Sequence, residues 1–432
     1  MKAIVVGSGA VGATAARKLS ESGYDVTILE AGKPFSPLTH KVSWLSALRG
    51  SFILKDESSI KRVFPHYAVT RGCRELAVFR GVTEGGCTSI SCGNMVRAEN
   101  GLNEIGLDLS AEYCEIERSL TIAPIPRKLW RPLTQHMYSK AEQLGYNPKS
   151  TPKVVDTGKC IGCGYCELGC VTGAKWDSRR VYRDLLGSGV TLQTNTAVKT
   201  VRLEGAKAVG VEVLRGSQTE FYGADVVVLT AGGVGTAQIL KASGLEAKDR
   251  LWVDIVLTVG GVLRGAKMLN EPPMAWYIKK DNYILSPYFD LLSYWFHKPW
   301  KNVAVSDRVG MMIKLADTEH GAVSADGTVT KTLTQTDIDS LEKAKAEAKQ
   351  IMEASGVLGP FVDGMIHGGH LGGTVPLTKA DVASMHSDML PEGLWVADLS
   401  LLPHSQGLPT MLTTAALALK VSKKIVEANS KR

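Results

Sequence analysis

No uninterrupted apolar run in the 432 residues approaches the roughly 18 needed for a membrane-crossing helix, so no transmembrane segment is expected. The chain also lacks blocks of basic residues. Lys plus Arg number 50 against 43 Asp plus Glu, and the resulting +7 is spread thinly, unlike the patches of a nucleic-acid binder. That excess suits an acidic redox partner as well as simple solubility. No repeat of solenoid length is visible. Met1-Lys2-Ala3-Ile4-Val5-Val6 runs straight into a strand pattern, leaving no room for a leader, and a cytoplasmic location is expected.

The composition, 44% hydrophobic and 22% charged, is that of a globular protein, and the length predicts two or three domains sharing a sizeable core. There are eight cysteines. In a chain without a secretory signal, closely spaced thiols more often hold metal than form disulfides.

The first 32 residues carry the clearest pattern. Ala3 to Val6 is a short apolar strand, Gly7-Ser8-Gly9-Ala10-Val11-Gly12 is a glycine turn, Ala13 to Ser22 has helix-forming composition, and Asp25 to Glu30 is a second strand ending in an acid. Strand, GxGxxG, helix, strand, acid is a dinucleotide fingerprint. Gly7 permits the tight turn, Gly9 lets backbone approach a pyrophosphate, Gly12 allows close helix packing, and Glu30 is placed to accept from ribose hydroxyls. The pattern does not by itself separate FAD from NAD.

Two later stretches look like further strands of the same sheet. Ala224 to Leu229 is nearly continuous in apolar residues, as expected when both faces are covered, and leads through Thr230-Ala231-Gly232-Gly233 into a helix. Leu394-Trp395-Val396-Ala397-Asp398 again closes on an acid, followed by Leu408-Pro409 and an Ala/Leu-rich helix to about Val426. Each could also be an ordinary strand-to-helix turn.

In order and spacing, these segments resemble the glucose-methanol-choline (GMC) oxidoreductases, a family of FAD enzymes. The resemblance is carried by the fingerprint at Gly7 to Glu30, by Arg80-Gly81-Val82-Thr83-Glu84-Gly85-Gly86-Cys87-Thr88, by Leu229-Thr230-Ala231-Gly232, by His370-Leu371-Gly372-Gly373-Thr374 and by Val396-Ala397-Asp398-Leu399-Ser400. It implies that Gly85, Gly86 and Asn94 line the flavin, although Asn94 lies further from the Gly-Gly pair than is usual. It further implies that Val198 meets the adenine and Asp398 the ribityl chain, with Thr88, Ala231, Gly232 and Thr410 completing the contacts. His370 takes the position of the family's catalytic histidine. The family's second active-site His or Asn falls at Leu408, which cannot hydrogen-bond an alkoxide, so His367 and His404 are the other candidates for proton transfer.

The densest chemistry is Cys160-Ile161-Gly162-Cys163-Gly164-Tyr165-Cys166-Glu167-Leu168-Gly169-Cys170, a C-x2-C-x2-C-x3-C run of the kind that wraps an iron–sulfur cluster in bacterial ferredoxins. Structural zinc sites usually separate two CxxC knuckles by a dozen or more residues, whereas these four crowd into eleven positions. A [4Fe–4S] cluster on Cys160, Cys163, Cys166 and Cys170 is expected. Zinc and free thiols are the alternatives, and Cys73, Cys87, Cys92 or Cys114 could stand in for Cys170. Val171 replaces the usual following proline. The following Gly173-Ala174-Lys175-Trp176 resembles GMC branches that carry a cysteine-rich insert.

Residues 251–362 read as most of a substrate domain. The aromatic stretch Trp276, Tyr277, Tyr283, Tyr288, Phe289, Tyr294, Trp295, Phe296 and Trp300 could form an apolar pocket, but a sheet and lid forming the domain core is preferred. A helix is expected from Thr336 to Ala354 with a capping box at Thr336 and Asp339.

The expected fold is α/β: a glutathione-reductase-type, Rossmann-like FAD domain from segments 1–110, 185–250 and 363–432, an insert at 111–184, and a smaller α+β substrate domain at 251–362. The expected activity is a dehydrogenase. A hydride passes from an alcohol-type, possibly apolar, small molecule to FAD while His370 takes the hydroxyl proton, and single electrons leave through the cluster to a ferredoxin-like carrier or a quinone. The alternatives are a reductase running the same parts backwards on a C=C or C=O bond and a non-catalytic electron-transfer subunit.

Overall fold

Ala3, Ile4, Val5 and Val6 are all buried, as a strand covered on both faces requires. The strand they form, Lys2–Val6, is the middle member of a five-stranded parallel sheet in the order Leu394–Val396, Val226–Leu229, Lys2–Val6, Asp25–Leu29, Val190–Gln193. Register sets Val5 opposite Val228 on one side and Ile28 on the other. Helix Ala10–Glu21 leaves the first strand directly, helix Gly232–Ala242 follows Val226–Leu229, and the last helix, Met411–Asn429, packs against Ala10–Glu21. This computed structural model describes residues 1–38, 60–73, 76–215, 218–291 and 303–430.

Ala197–Glu204, Lys207–Arg215 and Gln218–Gly223 form a three-stranded antiparallel sheet. The largest sheet has nine strands among the described residues. Its order is Tyr67–Arg71, Leu76–Gly81, Ile366–Gly368, Ile255–Val262, Arg308–Leu315, Tyr283–Pro287, Trp276–Lys279, Lys149–Ser150, and Leu358–Asp363 also pairs with Ile255–Val262. All its pairs are antiparallel except Ile366–Gly368 with Leu76–Gly81. Segments on either side of the 251–362 stretch are therefore sewn into its sheet, which brings His370, just past Ile366–Gly368, up to the parallel sheet.

Trp276, Tyr283, Tyr288 and Phe289 are buried in or beside this sheet, in line with a core role. Tyr294, Trp295, Phe296 and Trp300 lie outside the described residues. Helix Gln335–Ala354 packs on Arg308–Leu315. Its capping box corrects the sequence reading: the cap is Thr334 with Asp337, not Thr336 with Asp339. Thr334 is extended, and Asp337 is the acid turned inward, where it also accepts from the backbone and hydroxyl of Thr318. Thr336 and Asp339 face solvent.

Candidate active site

Four strand ends and three helix starts meet at one cleft of about 480 Å³, within the usual size range of ligand pockets. Val6, Leu29, Thr230 and Asp398 mark the strand ends; Ala10, Gly233 and Met411 mark the helix starts. Helix N-termini present unpaired N–H groups and a positive dipole end, so the cleft favours an anion such as a pyrophosphate.

The fingerprint glycines divide their work as their spacing predicts. A Cβ on Gly12 would stand 2.0 Å from the Gly7 carbonyl oxygen, so only glycine lets the helix sit this close to the turn. A Cβ on Gly9 would meet nothing within 4 Å: the space in front of it is open for a ligand. Glu30 is buried at the cleft edge, where one carboxylate oxygen accepts from the Ser8 N–H and hydroxyl and the other from the Gly32 N–H. Burial pushes this carboxyl up despite those bonds. Ser8 also accepts from the Gly85 N–H, and Ser178 donates its hydroxyl to the Ser8 carbonyl and its N–H to the Thr88 hydroxyl, so three distant segments lock together.

Gly86, Thr88, Val198, Ala231, Gly232 and Thr410 all line the cleft. Gly85 supports it from behind as the left-handed N-cap of the short helix Gly86–Ser89. Asp398 accepts from the Gly232 N–H at 2.8 Å, the Thr236 hydroxyl at 2.6 Å and the Ser400 N–H at 2.9 Å, and burial raises its pKa. Arg80 adds a cation. Its Nε is buried without a partner among the described residues, and burial lowers its pKa, which suits an anionic or carbonyl-bearing ligand in the cleft.

His370 lines the same cleft, with its Nδ1 3.2 Å from Asp254 Oδ2. The fully buried Asp254 also accepts from Lys314 Nζ at 2.8 Å, the Ser405 hydroxyl at 2.6 Å and the N–H groups of Gln406 and Gly407. Burial works against its charge, but Lys314 and His370 prevail and hold its carboxyl well below the usual range. Burial and Lys314 keep His370 below the ordinary imidazole pKa, with Asp254 pulling the other way.

Three expected residues lie elsewhere. Asn94 is turned away from the cleft lining, its amide oxygen accepting from Lys153 and its nitrogen facing the Met274 sulfur. His367 is buried within its strand with its ring edge-on to Phe79, and its Nε2 has no partner among the described residues. His404 is held outward between Glu319 at 2.8 Å and Glu104 at 3.3 Å, so its loop does not turn in to replace the histidine missing at Leu408.

Cys160, Cys163, Cys166 and Cys170 line one small cavity together with Lys175 and Pro272. Among the described residues no group of three or more His, Cys, Asp or Glu stands in a metal-holding arrangement. Beneath the cavity lie two buried lysines, each about 1% exposed. Lys153 donates to the Cys92 carbonyl and to Asn94, Lys175 to the carbonyls of Thr88 and Ser89, and neither forms an ion pair with a carboxylate among the described residues. Burial lowers both pKa values, opposed chiefly by Cys92 for Lys153 and by Cys166 for Lys175. Glu167, between two of the cysteines, accepts from Tyr288 at 2.7 Å and is pushed up to about 7 by burial.

A family model described as GMC oxidoreductase matches residues 1–264. The chain belongs to the GMC oxidoreductase family. It is accordingly an FAD-dependent oxidoreductase. An uncharacterized protein of Methanocaldococcus jannaschii is 25% identical over 98% of this chain and 99% of its own length. The long-chain-alcohol oxidase FAO3 of Arabidopsis thaliana is 22% identical over 82% of this chain, and the oxygen-dependent choline dehydrogenase of Rhizobium etli is 24% identical over 57%. The matches span only about half of these two relatives, 52% and 50%. A crystal structure of pyridoxine 4-oxidase from Mesorbium loti shares the fold, with a TM-score of 0.74 and 98% of both chains covered at 14% identity. Among the described residues no helix is long and apolar enough to cross a membrane.

The residues that sequence reasoning missed are side chains acting at long range: Ser8, Arg80, Lys153, Lys175, Ser178, Asp254 and Lys314. A faint signal existed for two of them. Asp254 interrupts Leu251-Trp252-Val253-Asp254-Ile255-Val256 and Lys314 interrupts Met311-Met312-Ile313-Lys314-Leu315, and single opposite charges within apolar strands are tolerable when they pair.

Proposed function

We propose that this GMC oxidoreductase is a dehydrogenase that oxidises an alcohol-type substrate in the cleft, with His370 as proton acceptor, and passes electrons singly through an iron–sulfur cluster on Cys160, Cys163, Cys166 and Cys170 to a ferredoxin-like carrier or a quinone. The observation that carries the first half is the placement of His370 on the cofactor cleft with its inner nitrogen tied to a buried carboxylate. Bound in the cleft, FAD would supply a hydride acceptor. Gly7, Gly9, Glu30, Gly86, Thr88, Val198, Ala231, Gly232, Asp398 and Thr410 would hold the cofactor, and Arg80 would supply a positive charge to it. His370 receives the hydroxyl proton as the C–H bond breaks.

The substrate we propose has an apolar carbon skeleton, a reading supported by the long-chain-alcohol oxidase among the relatives. The alcohol-oxidising relatives support a hydroxyl as its reacting group. We read residues 1–110, 185–250 and 363–432 as the cofactor-binding portion, 111–184 as the cysteine-bearing insert and 251–362 as the substrate portion.

Support for the cluster is electrostatic as well as compositional. Two buried ammonium groups that form no ion pair with a carboxylate among the described residues are costly, and a thiolate-ligated cluster beside them would carry negative charge to offset that cost. Such a cluster supplies one-electron transfer. Lys175 also ties the cysteine loop to the carbonyls of Thr88 and Ser89 at the cleft, so the two cofactor sites adjoin.

Anaerobic purification should yield about one FAD per chain with iron and acid-labile sulfide; stoichiometric zinc without sulfide rejects the cluster. Alcohols, 1-octanol among them, should bleach the flavin anaerobically, and His370→Ala should slow bleaching about 10²–10⁴-fold while reduction by dithionite is unaffected. Equal slowing of both would make His370 a support for the cofactor instead. A protein that exchanges electrons with a reduced ferredoxin but is bleached by no alcohol would favour the relay reading.

A further inference from the structure

His370 is tied to the protein's interior by one atom, and what lies behind that atom is unusual. Asp254 Oδ2 receives both His370 Nδ1 and Lys314 Nζ, while Oδ1 receives Ser405, Gln406 and Gly407. Five donors converge on one carboxylate with no exposed surface. Its backbone is left-handed, with φ of 51°, a conformation few non-glycine residues adopt and one that functional sites retain. Ser405 Oγ also accepts from the Asp317 N–H at 3.0 Å, and the Asp317 carboxylate pairs with the buried Lys331 at 2.7 Å. The result is a line of buried charges, Lys314, Asp254, Asp317 and Lys331, laid under the imidazole.

We propose that Asp254 fixes His370 as the Nδ1–H tautomer, leaving Nε2 as the proton acceptor on the cleft side, and that Lys314 is the positioning residue that holds Asp254 ionised and cancels its field at the imidazole. This rests on the reading of His370 as the base. A carboxylate with five donors and no proton can only accept, so the hydrogen at 3.2 Å belongs to the ring. The Leu408 carbonyl is the other acceptor against the imidazole, but an ionised carboxylate outcompetes a neutral carbonyl for a single N–H. A lone buried aspartate would also draw a second proton onto the histidine and disable it as a base; the adjacent ammonium opposes this. The charged and titratable groups around this point are Asp254 and Lys314, with Asp317 and Lys331 behind them, His367 near Lys314 and Asp290 near His367.

Tautomer and titration can be read without knowing the substrate. In holoenzyme labelled with ¹⁵N-histidine, with the His370 resonances assigned by their loss in His370→Ala, the wild type should show a proton on Nδ1 and an unprotonated Nε2 at neutral pH. Asp254→Asn should lose this preference, and Lys314→Met should move His370 protonation to higher pH. A proton on Nε2 in the wild type overturns the proposal whether or not the variants fold; so does an unchanged tautomer in folded Asp254→Asn. Flavin bleaching by 1-octanol separates this from the underlying reading. If His370→Ala bleaches as fast as wild type, the base assignment fails while the tautomer stands. If His370→Ala is slowed and Asp254→Asn is not, Asp254 has no positioning role. The expected loss for Asp254→Asn is about 10²-fold or more, as when a triad carboxylate is neutralised.

Discussion

The two sides of the cleft are built in different ways. Its parallel-sheet side is made of backbone: strand ends, glycine turns and helix N-termini within a few residues of one another, as in Gly7 to Gly12. Its antiparallel-sheet side is made of side chains, with Asp254 meeting Lys314 across 60 residues and His370 across 116. A backbone-built site needs particular residue types at fixed local spacing, so it leaves a motif. A site built from paired charges needs only that each charge find its partner in space, and that leaves almost no local trace.

The comparison is broken most severely by removing one charge from the second side. Lys331→Met removes the ammonium paired with the buried Asp317, which should cost about 3–5 kcal/mol, read as a fall in thermal midpoint while FAD content per folded chain is unchanged. Adding Asp317→Asn, which keeps an acceptor for the Val253 N–H, should recover much of the loss. If the double variant melts as low as the single one, the pair's charge is not what Lys331 serves.

Glu271 sharpens the point, because it is a buried carboxyl that the fold has not paired as fully as Asp254. It accepts from Thr134 and from the Arg131 N–H, yet burial pushes it up to about 7. A folded pKa above the unfolded value means that the folded state binds the proton more tightly. The associated stability is therefore present in full below the unfolded pKa of about 4.5 and is lost as pH rises through about 7. The change amounts to about 3 kcal/mol. Denaturant melts from pH 4 to 8 should show this decline, and Glu271→Gln should flatten it; a variant with the wild-type slope would remove Glu271 as its source.

On the backbone-built side the expected stability effects are smaller and the cofactor effects larger. Gly12→Ala forces the helix off the Gly7 carbonyl at a cost of about 1–3 kcal/mol and should release FAD on gel filtration. Gly9→Ala adds a methyl group to open space, so it should fold normally and still bind FAD more weakly. Full retention of FAD by Gly9→Ala would mean that the cofactor does not approach this glycine.

What could be read from the sequence follows the same division. The fold class, the central strands, the fingerprint and most of the cleft lining were legible because each depends on a run of neighbouring residues. Asn94 and His404 have suitable chemistry near the right motifs, but each has a partner away from the cleft, Lys153 in one case and two glutamates in the other. The cysteine run was legible as spacing alone, while the lysines that give it an electrostatic argument come from residues before and after it in the chain.

The smallest effect tests a boundary that local pattern alone set two residues too late. Both Thr334-x-x-Asp337 and Thr336-x-x-Asp339 satisfy the spacing of a capping box, and intrinsic preference does not choose between them. The tertiary structure does, because Asp337 is buried against Thr318 and Asp339 is exposed. Thr334→Ala removes the acceptor for the Asp337 N–H and should cost about 1 kcal/mol. Thr336→Ala, on the exposed first turn, should be neutral or slightly stabilising, since alanine is the better helix former. Denaturation midpoints of the two variants measured side by side decide the matter: equal losses would mean that neither hydroxyl caps the helix, and a loss confined to Thr336→Ala would restore the later start.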